Sequence, residues 1–277
     1  MQKVSIITPI YHGQNYISRI LRMIEANAKI VKNEASIELI LVDDSPDIPL
    51  DVDFKEMRYA QGVLLHNEKN CGIHQSRING IRYSTGDYII MLDQDDILLD
   101  TAVQSQLKHI KNKNVVVGNG YAELPEGKKY LYKYGIMQYT VNWSFFYDYF
   151  DCRIISPGHC MIRKESIPRV WLEHSLQNNG ADDFFLWLVL LNQGEKFKIN
   201  RDVVYVHSYT GHNVSADSDK MKRSVEEVIQ IAHDTKSISD KQLDRIDARI
   251  NGSKNLTRMI LNYLRSIGEN LNDTSKK

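Results

Sequence analysis

Tyr88-Ile89-Ile90-Met91-Leu92-Asp93-Gln94-Asp95-Asp96 decides how the rest of the chain is read. Five apolar residues, entered from Gly86-Asp87 and left through three carboxylates, predict a short buried strand. Alternate residues of an extended segment project to one side, so Asp93 and Asp95 converge just beyond the strand end. Crowded carboxylates repel one another unless a cation or a proton relieves them. All-oxygen ligands of this kind suit Mg²⁺ or Mn²⁺, ions that bridge a few carboxylates to a diphosphate. The alternative is a solvated acidic turn ahead of a helix from Thr101.

Outward from this stretch, strands and helices alternate. Apolar, β-branched runs at 4–8, 37–42, 62–66 and 115–117 predict further strands. Helical spacing of apolar residues appears at 15–28, 72–83 and 101–110. Such alternation argues for βαβ units on a largely parallel sheet. Ligands of these sheets sit beyond the carboxyl ends of the strands, and Thr8, Asp43 and Asp93 all fall there. The G-x-G-x-x-G fingerprint of dinucleotide folds is missing after the first strand, where Thr8-Pro9-Ile10-Tyr11 stands instead. A diphosphate here would need a metal rather than a glycine-lined helix start.

Composition excludes several classes. Lys+Arg 35 balances Asp+Glu 35 across 277 residues, which argues against nucleic acid as the main partner. Cys71, Cys152 and Cys160 form neither a CxxC pair nor a disulfide framework. With no secretory leader pattern ahead of the first strand, the expected location is the cytoplasm. The longest apolar run, 184–191, is too short to span a bilayer. Residues 123–150 turn aromatic, as core, as a stacking surface for sugar rings, or as a lid. Beyond a main domain at 1–215, a basic helical extension at 216–277 is expected. Leu243, Ile246 and Ile250, then Leu256 to Ile267, recur at helical spacing. These helices either pack on the main domain or a second subunit, or touch an anionic membrane through Arg245, Arg249, Lys254, Arg258 and Arg265.

Taken together, residues 3–215 resemble family 2 of the inverting nucleotide-sugar glycosyltransferases. Val4-Ser5-Ile6-Ile7-Thr8-Pro9-Ile10-Tyr11 is similar to that family's opening strand, and Leu41-Val42-Asp43-Asp44-Ser45 to its V-D-D-G-S motif, with Ser45-Pro46 where Gly-Ser is usual. Asn70-Cys71-Gly72 and Ser76-Arg77-Ile78-Asn79-Gly80 resemble N-x-G and A-R-N-x-G, with Ile78 disturbing the usual Asn order. Gly86 to Asp96 resembles the G-D-Y-I-x-x-L-D-x-D-D block, and Ala181-Asp182-Asp183-Phe184 the E-D-Y/F block, with Asp replacing Glu.

The resemblance implies a GT-A fold: α/β, Rossmann-like, with a mixed but mostly parallel sheet flanked by helices. It implies that Thr8, Pro9 and Tyr11 line a nucleobase pocket and that Asp43 accepts a hydrogen bond from the base ring, as suits uracil. Asn70 and Arg77 would hold the nucleotide, and Asp93 the ribose or sugar. Asp95, with Asp93, would ligate Mn²⁺ or Mg²⁺, and His207 or His212 would complete the metal shell or touch the diphosphate. Asp183 takes the position of the general base, with Asp182 beside it as cap or second candidate. The implied reaction moves a sugar from a UDP-sugar to a saccharide or lipid-linked acceptor in bacterial surface polysaccharide synthesis, at the inner face of the membrane. A homo-oligomer is left open. The rival readings are a nucleotidyltransferase, which would carry a glycine- and lysine-rich phosphate loop, and a non-catalytic nucleotide-sugar-binding subunit.

Overall fold

The computed structural model describes residues 1–124, 126–209 and 217–252. In chain order the elements are β1 (Gln2–Ile10), α1 (Ile17–Val31), β2 (Ala35–Asp43), β3 (Ala60–His66), α2 (Gly72–Tyr83), β4 (Tyr88–Met91), β5 (Ile97–Leu98), α3 (Ala102–Ile110), β6 (Val115–Leu124), β7 (Gly127–Tyr130), α4 (Gly135–Tyr139), α5 (Ser144–Tyr149), β8 (Cys160–Arg163), α6 (Arg169–Glu173), α7 (Asp182–Asn192), β9 (Lys198–Ser208), α8 (Ser218–Asp234) and α9 (Asp240–Ile250). One sheet runs in the order β3-β2-β1-β4-β8-β6-β9-β5, with β7 on β6.

The first half is parallel, as the alternation predicts: β1 pairs with β2 and β4, and β2 with β3. Both faces of these strands are covered, so β1 from Val4 and most of β2 are buried without alternation. α1 turns Ile17, Ile20, Ile24, Ala28 and Val31 inward on one stripe. α2 packs so close over the sheet that a methyl at Gly80 would collide with the side chains of Ile7 and Val42. The α/β expectation therefore stands. The strand pattern missed β8, which enters antiparallel between β4 and β6 and supplies the mixed character that the resemblance implies. Its four residues are too few to be read as a strand, although Pro157-Gly158 marks a turn just before them.

α7 is apolar on all sides, with Phe184 to Leu190 buried, and forms the centre of the second layer. The helical extension shares that core. Val225, Val228, Ala232, Leu243 and Ile246 join the cluster built around α7. Arg245 bonds Asp148 and Arg249 donates to the Phe150 carbonyl. Of the two readings of this segment, internal packing is what α8 and α9 realise, so Leu243, Ile246, Arg245 and Arg249 are not presented to a membrane. Lys254, Arg258, Arg265 and the apolar run from Leu256 lie outside the described residues.

Candidate active site

The acidic residues after β4 are held by a buried arginine. Arg77, on α2, is 3 % exposed. Its Nη2 donates to Asp93 Oδ1, and its Nη1 donates to Asp182 Oδ2 at 2.6 Å. Two loops far apart in sequence are thereby fixed to one guanidinium. Both terminal nitrogens engage carboxylates, a bridging role that the sequence reading of Arg77 as a nucleotide contact did not include. Among the described residues its Nε is buried without a partner. Burial raises the Asp93 carboxyl, and Arg77 opposes this without cancelling it. At Asp182 burial pushes the same way, yet Arg77 outweighs it and holds the group below the usual carboxylate range.

Asp182 and Asp183 open α7. Neither is its N-cap, which is Ala181. Asp183 accepts from the Phe184 N–H at 2.6 Å. Its carboxyl is pushed up to about 8, first by burial and then by the neighbouring Asp182 charge. Burial and like charge thus prevail over the positive helix start. Asp182 is an anchored anion, whereas Asp183 is the group whose proton exchanges near neutrality.

Asp95 and His207 lie on the other side of the same loop. Asp95 is pushed up to about 6 by burial and then by Asp96 and Asp93. Among the described residues its carboxylate accepts no hydrogen bond from another residue. Asp96 is fully buried and is spent on structure: Tyr205 Oη and the Ser208 N–H donate to it. His207 Nδ1 lies 3.1 Å from Asp96 Oδ1. Burial disfavours a charged His207, but Asp96 and the other carboxylates outweigh it and raise its pKa. Among the described residues no three His, Cys, Asp or Glu side chains form a ready-made metal cage. The donor set nevertheless fits a divalent cation that takes its remaining ligands from a diphosphate. Asp95 is crowded by like charge, and His207 is braced through Nδ1 by a carboxylate, as metal-ligating histidines usually are. His212 lies outside the described residues.

The residues that the resemblance assigns to the base gather at the ends of β1, β2 and β3. Thr8 and Pro9 are buried, and Thr8 Oγ1 has no partner among the described residues. Tyr11 is half exposed and stacked on His12. Gln94 reads the Tyr11 backbone on both sides, accepting from its N–H at 3.0 Å and donating to its carbonyl at 3.2 Å. Arg19 donates to the carbonyls of Gln94 and Asp95. Asp43 is buried and accepts from Ser45 N–H, Leu50 N–H and His66 Nδ1, which holds the loop that follows β2. Asp44 receives the N–H groups of Cys71 and Gly72 at the start of α2. Asn70 is exposed and makes no hydrogen bond among the described residues. Asn67 is the organiser instead, donating to Asp44 and Ser76. Beside these groups opens a cavity of about 560 Å³, lined by His66, Asn67, Glu68, Lys69, Cys71 and Asn79.

Sequence reasoning missed Gln94, Asn67 and Tyr205. A polar residue directly after β3 was available as a signal for Asn67. Tyr205 had none, since its partner is Asp96, 109 positions away.

This sheet, with acidic groups beyond the ends of β2 and β4, is the architecture of GT-A glycosyltransferases. S. aureus TarS residues 1–349 in complex with UDP-GlcNAc superimposes with a TM-score of 0.63 at 15% identity, covering 90% of this chain and 71% of that one. The mannosyltransferase PcManGT from Pyrobaculum calidifontis, with GDP-Man and Mn²⁺, gives 0.58 at 15%, covering 91% and 69%. The chain belongs to glycosyl transferase family 2, whose model matches residues 5–171. It is 31% identical over 138 residues to the glycosyltransferase GlyG of Streptococcus pneumoniae, covering 48% of this chain and 44% of GlyG. Over 222 residues it is 25% identical to WfgD of Escherichia coli, a UDP-Glc:alpha-D-GlcNAc-diphosphoundecaprenol beta-1,3-glucosyltransferase, covering 79% and 81%. Several relatives are much longer: the match spans 18% of an uncharacterized glycosyltransferase of Rickettsia bellii.

Proposed function

We propose that the chain transfers a sugar from a UDP-sugar to a saccharide acceptor with inversion at the anomeric carbon. The observation that carries this reading is Asp183. It stands at the start of α7, its carboxyl raised by burial and by the Asp182 charge, and is tied through Asp182 and Arg77 to the acidic loop after β4.

The acceptor hydroxyl gives its proton to ionised Asp183 as its oxygen attacks the anomeric carbon. The new C–O bond forms as the bond to the diphosphate breaks, and the diphosphate leaves with the electron pair. A pKa raised toward neutrality makes Asp183 a stronger proton acceptor than an exposed carboxylate. Asp182 stays ionised beside Arg77, and its charge favours proton uptake by Asp183. On the donor side, Thr8, Pro9, Tyr11 and Asp43 bound the base. Asp93 takes the ribose or sugar, with one oxygen steadied by Arg77. Asp95, with Asp93 and His207, would hold Mn²⁺ or Mg²⁺, which when bound supplies Lewis-acid neutralisation of the leaving diphosphate.

The name of WfgD supports a lipid-linked acceptor, and the TarS complex supports a UDP-sugar donor. Both fit polysaccharide synthesis at the inner face of a membrane. Among the described residues no helix is long and apolar enough to cross a membrane. A screen of UDP-, GDP- and dTDP-sugars for nucleoside diphosphate release, run on the parent and on Asp183→Asn, tests the proposal. Turnover of a UDP-sugar that the substitution removes is expected. Equal turnover by both proteins would refute the role of Asp183.

A further inference from the structure

In the segment from α4 to α5, Val141, Tyr147 and Tyr149 are buried, yet two amides turn inward beside them while several large apolar side chains face out. Gln138 is buried and donates through Nε2 to the carbonyls of Val117 and Asn200. Asn142 also faces inward, exchanging hydrogen bonds with the Phe197 backbone. The apolar residues at the intervening helical spacing face out: Ile136 is 68 % exposed, Tyr139 45 % and Trp143 51 %. Tyr134, Phe150 and Ile155 extend the exposed row. Scattered exposed apolar residues need no explanation, but a face that hides its amides and shows its apolar side chains does. Folding of this domain does not account for it.

The charge around the face points to its occupant. From residue 127 to 147 the chain carries Lys128, Lys129 and Lys133 and no carboxylate; Lys128 and Lys129 pair with Glu123 and Glu126 just before it, which leaves Lys133 as the cation of this stretch without a carboxylate among the described residues. Lys133 lies over the Tyr134 ring, and Arg201 packs beside Gly135. Among the described residues neither cation has a carboxylate partner. A second copy of this chain docked symmetrically would set these cations against themselves. An anionic lipid surface complements them, and Trp and Tyr favour the depth of lipid headgroups.

We propose that this face, centred on Ile136, Tyr139 and Trp143, seats the protein on an anionic membrane surface. Its inner side packs on the catalytic helix: the Tyr147 ring stacks on Phe184, the residue after Asp183, at 6.3 Å. Seating there brings the start of α7 toward lipid-borne saccharides. That purpose rests on the proposed acceptor, but the binding itself does not.

Co-sedimentation of the full chain with phosphatidylcholine–phosphatidylglycerol vesicles, and with phosphatidylcholine alone, tests the proposal. The parent should bind the mixed vesicles, weaken with added salt, and bind pure phosphatidylcholine less. Combining Ile136→Ser, Tyr139→Ser and Trp143→Ser should lower partitioning on the order of a hundredfold. Lys133→Glu should weaken binding to mixed vesicles only. Thermal melting of each variant at the parent temperature shows that the fold is kept, as expected for exposed positions. The proposal falls if the parent ignores anionic vesicles or if the triple variant binds as well as the parent. It falls too if light scattering shows that the triple variant only splits a dimer. Absence of donor turnover in a parent that still binds vesicles would instead count against the transferase reading.

Discussion

Arg77→Met should destabilise the protein in a strongly pH-dependent way. The substitution keeps an apolar stem in the same space and removes one buried cation. It leaves Asp93, Asp182 and Asp183 grouped without their shared counter-charge. Removing one partner of a buried ion pair typically costs about 3–5 kcal/mol. For a domain of this size that is a fall in Tm on the order of 6–20 °C. The sign follows from Asp182, whose carboxyl Arg77 holds low. A depressed carboxylate contributes stability above its unfolded pKa and loses it as pH falls through the folded value. The deficit of the variant is therefore full at about pH 7 and shrinks only below about pH 4, the ordinary carboxylate value, as Asp182 takes up its proton. Adding Asp182→Leu should return part of the loss, because replacing both partners leaves no charge stranded. Scanning fluorimetry at about pH 7 and below about pH 4 measures all of this. An equal fall in Tm at both would mean that Arg77 acts by filling space, and the electrostatic account would be wrong.

Asp183→Asn should keep donor binding and lose about 10²–10⁴-fold in transfer rate. In the parent, kcat/KM should rise with pH along a limb near the Asp183 value of about 8, and that limb should vanish in the variant. Asp95→Ala should abolish stimulation by Mn²⁺ while leaving the melting curve intact, and full activity of the parent in EDTA would contradict the metal assignment. Calorimetry should find UDP bound more tightly than GDP, given Asp43 beneath the base-side loop, and the reverse order would remove the uridine assignment. Gln94→Ala should raise KM for the donor more than it lowers kcat, since it frees the Tyr11 backbone without touching an acidic group.

The parallel half of the sheet was legible because burial on both faces writes continuous apolar runs into β1, β2 and β4. The polar residues that stop those runs mark the ligand-binding edge, so Thr8, Asp43 and Asp93 could be named together. Arg77 was legible as part of a motif but not as a buried bridge, since a helix with a weak apolar stripe gives no sign of which cation turns inward. The division of labour at Asp182 and Asp183 was hidden for a related reason. Two adjacent carboxylates look alike until burial and a cation from another helix separate them. Asn70 and Asn67 show the limit of motif spacing: the neighbours of Asp44, not the motif, decide which amide is held. The inward-facing Gln138 and Asn142 depend on carbonyls of β6 and of residues near β9, which no local pattern announces.

Gln94 sits between the two carboxylates expected to face the metal, and its amide grips the backbone of Tyr11. A Cβ at Gly13 would run into the same side chain. The turn of residues 10–13 and the turn of residues 93–96, proposed to border the base and the diphosphate, are thus joined through Gln94. Redesign of this enzyme for another nucleotide cannot treat base preference as a separable module. Exchanging residues 10–13 alone would strain the acidic turn through Gln94, whereas exchanging 10–13 and 93–96 as a block would carry the joint intact. Directed evolution of donor choice should accordingly recover paired changes across these two turns more often than changes in either one.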